Sequence, residues 1–175
     1  MAQHAARSRA RGPRSRLAVL AFLLVPAAVL AFAWVRVGAE LDEARGAARD
    51  RMAAIQAAQR YAVTLLAVSH RTVDRDVQRV IESSTGQARA EYTRDAERLK
   101  AATRANKAVQ TGVVRAAGLV SMDARRSVAR VLVVADSVVS WEGSSTAPQD
   151  RYYRWSVEVT KIDGLWWASK LETVS

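Results

Sequence analysis

The sequence has no cysteine, two histidines and three prolines among its 175 residues. Without cysteine there can be no disulfide bridge, thiol nucleophile or cysteine-ligated metal. His70 is the one histidine beyond the N-terminal tail, so it has no second histidine with which to share a metal ion. Calcium-binding Asp-x-Asp-x-Asp-Gly loops, phosphate-binding glycine loops and Gly-x-Ser-x-Gly elbows do not occur either. These absences predict a protein with no metal, no cofactor and no catalytic residues.

Acidic residues are also missing from the first 39 positions, although the chain carries a formal net charge of +10. Six of the 27 basic residues lie before position 38, which leaves 21 against 17 acidic residues and a net charge of +4 for the remainder. These later arginines are interleaved with aspartates and glutamates and do not form one basic face. The pattern therefore argues against nucleic-acid binding.

An uncharged, apolar run of nineteen residues occupies positions 17–35. A helix of this length spans about 28 Å, close to the thickness of the hydrocarbon core of a lipid bilayer. We predict a transmembrane helix over residues 17–37, with residues 1–16 as a cytoplasmic basic tail and the C-terminal domain outside the cell membrane. The residues that set this topology are the five arginines before the run, because basic residues mark the cytoplasmic side: Arg7, Arg9, Arg11, Arg14 and Arg16.

The alternative interpretation of the apolar run is a secretory signal that is cleaved near Ala33. Ala31-Phe32-Ala33 fits the small-x-small cleavage pattern. The run is longer than the usual signal core of about 7–15 residues, and Trp34 and Val35 extend it beyond that point. These features favour a retained membrane anchor.

Beyond the apolar run, apolar residues first recur every three or four positions, which is typical of helices. The pattern predicts helices over residues 40–69, 72–83 and 86–106. Residues 38–57 are rich in alanine and arginine and are predicted to form a helical stalk. Residues 58–175 are predicted to form the external domain.

From residue 108 the period changes to two, which predicts four strands at residues 108–121, 127–141, 151–162 and 165–174. Gly112 and Gly118 predict bulges or bends in the first of these strands. Asp163-Gly164 predicts a two-residue type I′ hairpin turn between the last two. Helices followed by sequential strands predict an α+β fold, with about three helices packed on a curved, cone-like, four-stranded antiparallel sheet.

Aromatic side chains provide the remaining signal for a binding site. Core packing explains such residues, and a pocket for a lipid ligand or a contact with a protein partner is the second interpretation. Trp166 and Trp167 are adjacent in a strand and must point to opposite faces of the sheet. The candidate residues are Tyr61, Tyr92, Tyr153, Trp155, Trp166 and Trp167.

His70 supports a third interpretation, an envelope enzyme. Asp74 and Asp76 follow within one helical turn, and an imidazole beside a carboxylate can act as a general base. The same residues are explained without a cleft, because histidine is favourable at a helix C-terminus and aspartate at a helix N-terminus. We therefore predict no enzymatic activity.

Four segments carry a resemblance to a known family: ARDRMAAIQAAQRYAVTLL (48–66), HRTVDRDV (70–77), STGQARAEY (84–92) and DGLWWASKLE (163–172). With the basic tail and the single apolar run, their order resembles that of the Mce-associated membrane proteins of the actinobacterial cell envelope. The resemblance implies a cone-shaped fold like that of nuclear transport factor two. It also implies an accessory protein that stabilises or assembles an Mce complex, which imports lipids and sterols. The alternative is a module that carries a lipid ligand in its cone pocket.

Overall fold

The computed structural model describes the backbone of residues 13–174 and the side chains of residues 30, 32, 34 and 36–174. This part of the chain forms three helices and five strands. In chain order they are α1 (Pro13–Leu66), β1 (Val68–Ser69), α2 (Val73–Glu82), α3 (Gly86–Ala105), β2 (Ala108–Met122), β3 (Val128–Trp141), β4 (Gln149–Ile162) and β5 (Leu165–Thr173).

The chain divides into two compact units, Met1–Gly46 and Ala47–Ser175. The first unit contains the predicted basic tail and transmembrane helix. Most side chains of these two segments lie outside the described residues, and so do those of all five topology-determining arginines. Among the residues that the structure does describe, no helix is both long enough and apolar enough to cross a membrane. The predicted membrane topology therefore stays a prediction.

The strands of the second unit form one antiparallel sheet in the order β1-β2-β3-β4-β5. The sheet has five strands where the sequence predicts four, because β1 is an additional two-residue strand that pairs with Val109 and Gln110 of β2. Two residues are too few to show an alternating pattern. The α+β class, with three helices on a curled antiparallel half-barrel, is confirmed.

The core of this unit lies between the concave face of the sheet and α1. Every second residue of β3 is buried, including Val131, Val133 and Ala135. The helix contributes small side chains to the same cluster, with Ala54 and Ala58 fully buried. Alanine at these positions lets the helix backbone approach the sheet closely, and the apolar area removed from water stabilises the contact.

The turn between β4 and β5 has the predicted geometry. Asp163 and Gly164 have φ angles of 50° and 81°, so both central residues are in the left-handed region that a type I′ turn requires. The irregularities in β2 are displaced from the predicted positions. They lie between residues 114 and 116 and between residues 119 and 121, and not at the two glycines of the strand.

Candidate functional site

A groove of about 510 Å³ lies between α1, α3 and β5. Tyr61 of α1, Tyr92 and Leu99 of α3, and Leu171 of β5 form its apolar wall. Residues of α3 that are three or four positions apart share one face of the helix, so a run of them lines the same groove. We call this feature the tyrosine groove. Three charged residues of α3 also line it: Glu91, Asp95 and Arg98.

A second cavity of about 290 Å³ adjoins the tyrosine groove. The two share Tyr92, Leu99 and Leu171, and the second reaches the concave face of the sheet at Tyr153 and Trp155. The rings of these last two residues stack with their centroids 4.7 Å apart and their planes tilted by 32°. The cavity is therefore walled by aromatic and aliphatic side chains.

One polar group faces this second cavity on the sheet. The side-chain amide of Gln110 donates hydrogen bonds to the Ser137 hydroxyl at 3.0 Å and to the Tyr153 hydroxyl at 3.2 Å. Ser137 is itself buried. A polar network at the base of an apolar cavity is a common way for a binding site to orient a ligand.

The two tyrosines of the groove are uncharged hydrogen-bond donors. Burial raises the pKa of Tyr61 from 10.0 to about 12, and the neighbouring Tyr92 and Glu91 add to the rise. Burial likewise raises the pKa of Tyr92 to about 12, with a further contribution from Asp76. Both hydroxyls therefore remain protonated near neutral pH. Within the described part of the chain, neither hydroxyl makes a hydrogen bond.

Trp166 and Trp167, on β5, do not line the tyrosine groove or the cavity that adjoins it, but together with Tyr61 they line a separate pocket of about 230 Å³. Trp166 is buried, with the Lys161 ammonium 5.7 Å from its ring centroid, and its indole N–H has no hydrogen-bond partner among the described residues. Trp167 is half-buried on the opposite face of the strand. The structure thus brings four of the six aromatic candidates to the groove and its adjoining cavity, and places the other two in a separate pocket that shares Tyr61 with the groove.

His70 is paired with a residue that the sequence analysis does not name. Its Nε2 atom lies 2.5 Å from Oε2 of Glu142, which follows β3 and also accepts hydrogen bonds from the Arg71 guanidinium. The Arg71 and His70 hydrogen bonds hold the pKa of the Glu142 carboxyl below its usual range. His70 lines neither the tyrosine groove nor the cavity that adjoins it.

Asp74 and Asp76, the predicted acidic partners of His70, have other contacts. The Asp76 carboxylate is buried and accepts hydrogen bonds from the Ser69 amide at 2.9 Å and the Thr72 hydroxyl at 2.8 Å. Asp74 pairs with Arg104 of α3. These contacts tie α2 to its neighbours and provide no orienting carboxylate for the imidazole. In the part of the chain that is described, no cluster of three metal-ligating side chains occurs.

The convex face of the sheet carries a group of exposed apolar residues that the sequence analysis did not single out. Val113 of β2, Val138 of β3 and Tyr152 of β4 are all exposed, Tyr152 at 77%, and they line one surface pocket. We call these three residues the outer patch. The sequence of β3 contains a signal for this patch. Apolar residues occupy both alternating sets of positions in the strand, and only one set can face the core.

A charged pair lies within the outer patch. Asp136 is opposite Val113 on one side and Tyr152 on the other. Its carboxylate accepts a hydrogen bond from the Arg115 guanidinium at 2.6 Å. Tyrosine and arginine, both present here, are enriched at protein-contact surfaces.

Taken together, the second unit is a small α+β half-barrel domain with an apolar groove on its helical side and an exposed apolar patch on its sheet. The chain belongs to the family described as uncharacterized protein Rv1363c/MT1408-like, whose model matches residues 15–175. No curated protein matches the chain. The family description names no Mce complex, so that association stays a prediction.

Solved structures with a similar fold include three bacterial proteins. The periplasmic domain of DotI has 14% sequence identity and a TM-score of 0.58, over 69% of this chain and 91% of that one. An IcmL-like type IV secretion system protein from Legionella pneumophila has 9% identity and a TM-score of 0.55, over 69% and 88%. VirB8 of Agrobacterium tumefaciens has 11% identity and a TM-score of 0.54, over 72% and 92%. At these identities the likeness concerns the fold.

Proposed function

We propose that the chain is a non-enzymatic, single-pass accessory protein of the cell envelope. In this proposal the helix of residues 17–37 anchors it in the cell membrane with the N-terminus in the cytoplasm. The α+β domain lies outside the membrane, where it stabilises or assembles an Mce-type lipid import complex. The observation that carries the proposal is the outer patch, because exposed apolar groups of this kind mark protein contacts.

Membrane anchoring is supported by the first unit. The nineteen-residue apolar run follows five arginines and no acidic residue. Leu30, Phe32 and Trp34 near its end are largely exposed. Large apolar side chains in that state are costly in water and favourable in lipid, and tryptophan is favoured at the membrane interface.

An envelope location is supported by the fold and by the sequence resemblance. The DotI structure is described as a periplasmic domain and the IcmL-like structure as a type IV secretion system protein. The resemblance of residues 48–66 and 163–172 to Mce-associated proteins supports a lipid import complex as the specific assembly. The absence of an enzymatic role is supported by the position of His70, which lines neither the tyrosine groove nor the cavity that adjoins it.

Affinity purification of the full-length tagged chain from native membranes tests this proposal. We expect Mce subunits to be recovered with the wild-type chain and lost with Val138→Lys, which places a charge in the outer patch. Val63→Lys is the matched control, because Val63 on α1 is 46% exposed, close to the 42% of Val138, and lies outside the patch. Recovery of no Mce subunit with the wild-type chain, or equal recovery with both variants, would refute the proposal.

A further inference from the structure

The pocket of about 230 Å³ between α1 and β5 contains a buried hydrogen-bond donor that lacks a partner. We call it the tryptophan pocket, and the residues that line it include Arg60, Tyr61, Ser83, Leu165, Trp166 and Trp167. Trp166 is 9% exposed, and its indole N–H makes no hydrogen bond with any described residue. A buried donor without a partner costs free energy, and a ligand atom that accepts its hydrogen bond recovers that cost.

The other polar groups of the tryptophan pocket restrict the ligand. Arg60 carries the one charge among the described lining residues, and its guanidinium makes no hydrogen bond or ion pair with any of the described chain. The Ser83 hydroxyl already donates to the Val80 carbonyl at 3.0 Å. Tryptophan and arginine side chains can only donate hydrogen bonds. An ammonium group would therefore meet a like charge with no carboxylate in the lining to balance it, whereas an anion gains both donors.

The neighbouring charges do not cancel that of Arg60. The Lys161 ammonium, 5.7 Å from the Trp166 ring centroid, is paired with the Asp50 carboxylate at 2.6 Å. Three further charged residues line an adjoining pocket of about 330 Å³ and not the tryptophan pocket: Glu82, Arg89 and Asp163. One positive charge in the lining matches a carboxylate. A phosphate monoester carries more than one negative charge near neutral pH and would be only partly neutralised.

Apolar side chains continue from the tryptophan pocket to the surface. Leu165 is 61% exposed and Trp167 is half-buried, and both also line the adjoining pocket. Hydrocarbon that covers them removes apolar area from water. We propose that the tryptophan pocket binds a small amphipathic carboxylate. Its oxygens accept hydrogen bonds from Trp166 Nε1 and the Arg60 guanidinium, and its hydrocarbon part packs on Leu165 and Trp167.

This inference goes beyond the proposed accessory role and uses a different surface. The tryptophan pocket is formed by α1, the end of α2 and β5, whereas the outer patch is on the convex face of β2, β3 and β4. A chain that binds the carboxylate and holds no partner on its sheet, or the reverse, is physically consistent. The two proposals can therefore fail separately.

Nuclear magnetic resonance of the full-length chain in detergent, with nitrogen-15-labelled tryptophan, tests the inference. The chain has five tryptophans, so five indole signals are expected, and replacing each tryptophan by Phe in turn assigns them. Octanoate should shift the Trp166 signal downfield in a saturable manner, because a hydrogen bond deshields the indole proton. Octylamine and octanol have the same chain length without negative charge, and each should shift this signal less at equal concentration. Octyl phosphate should bind more weakly than octanoate.

A variant of Arg60 isolates the charge. Arg60→Gln should raise the dissociation constant of octanoate at least tenfold, as expected for a lost hydrogen bond to a charged group. Arg51→Gln is the matched control and should leave it unchanged, because Arg51 is exposed on the same helix and does not line the pocket. Thermal melting of the same samples verifies that each variant is folded.

Four results would overturn the inference. They are a Trp166 signal that octanoate does not shift, equal shifts by octanoate and octylamine, equal or tighter binding of octyl phosphate, and a dissociation constant that Arg60→Gln leaves unchanged.

Discussion

We expect Gly112→Ala to destabilise the second unit, because β2 packs tightly against its neighbours at Gly112. A Cβ atom at this position would lie 2.7 Å from the Asp136 carbonyl oxygen, 2.8 Å from the Leu66 Cβ and 2.9 Å from the Ser137 Cβ. None of these three atoms is the end of a flexible side chain, and Leu66 is buried in the core. The strand or the helix must therefore move to admit one methyl group.

The size of the effect follows from overpacking. Extra atoms in a packed core cost about 1–3 kcal/mol. If the substitution lowers the free energy of unfolding by about 2 kcal/mol, the melting temperature of a unit that spans Ala47–Ser175 should fall by about 8 °C. Thermal unfolding of the full-length chain in detergent, followed by circular dichroism, measures the change.

Gly118→Ala in the same strand is the matched control. A Cβ atom at Gly118 meets nothing within 4 Å, and this glycine has no positive φ angle. Its substitution should change the unfolding free energy by less than about 0.5 kcal/mol. If Gly112→Ala melts at the same temperature as the wild-type chain, or if Gly118→Ala lowers the stability as much as Gly112→Ala does, the close approach of α1 to β2 is wrong.

Three further results are expected from ionisable residues. Asp76→Ala should lower the free energy of unfolding by about 2 kcal/mol, because it leaves the buried partners of the carboxylate unpaired. Asp74 is exposed, so Asp74→Ala should lower it by less than about 0.5 kcal/mol. Urea titration of both variants measures the difference. The raised pKa of Tyr61 and Tyr92 means that the folded state holds their protons more tightly, so stability should fall between pH 10 and 12, and less so in the double Phe variant. The lowered pKa of Glu142 works in the opposite sense. Its contribution is present above the ordinary glutamate pKa and is lost as the pH falls through the folded value, so Glu142→Gln should flatten the acid limb of a melting-temperature profile.

The regular part of the fold could be predicted from local sequence patterns. Helix α3 ends at Ala105 with Asn106 as its cap, close to the predicted end at residue 106. The β4–β5 turn follows from the backbone preference of Asp163-Gly164 alone. Both features depend on residues that are adjacent in sequence.

Features that depend on distant contacts could not be predicted in the same way. Glycines in β2 predict irregularity but not its position, and Gly112 serves the close approach of Leu66 instead of a bulge. His70 pairs with Glu142, which is 72 positions away, so its acidic partner could not be identified from neighbouring residues. The tyrosine groove likewise joins Tyr61 and Tyr92 from two helices whose packing no local pattern encodes.

The central claim is that the α+β domain lies outside the membrane and binds a partner through its sheet. Because the chain has no cysteine, a single introduced thiol can be labelled specifically, and this labelling tests the claim most directly. Tyr152→Cys introduces a single thiol into the outer patch, at a position that is 77% exposed. In intact cells, a membrane-impermeant maleimide should label this thiol when the Mce subunits are deleted, and labelling should fall several-fold when they are present. Labelling that requires permeabilised cells would contradict the topology, and equal labelling with and without the Mce subunits would contradict the partner contact.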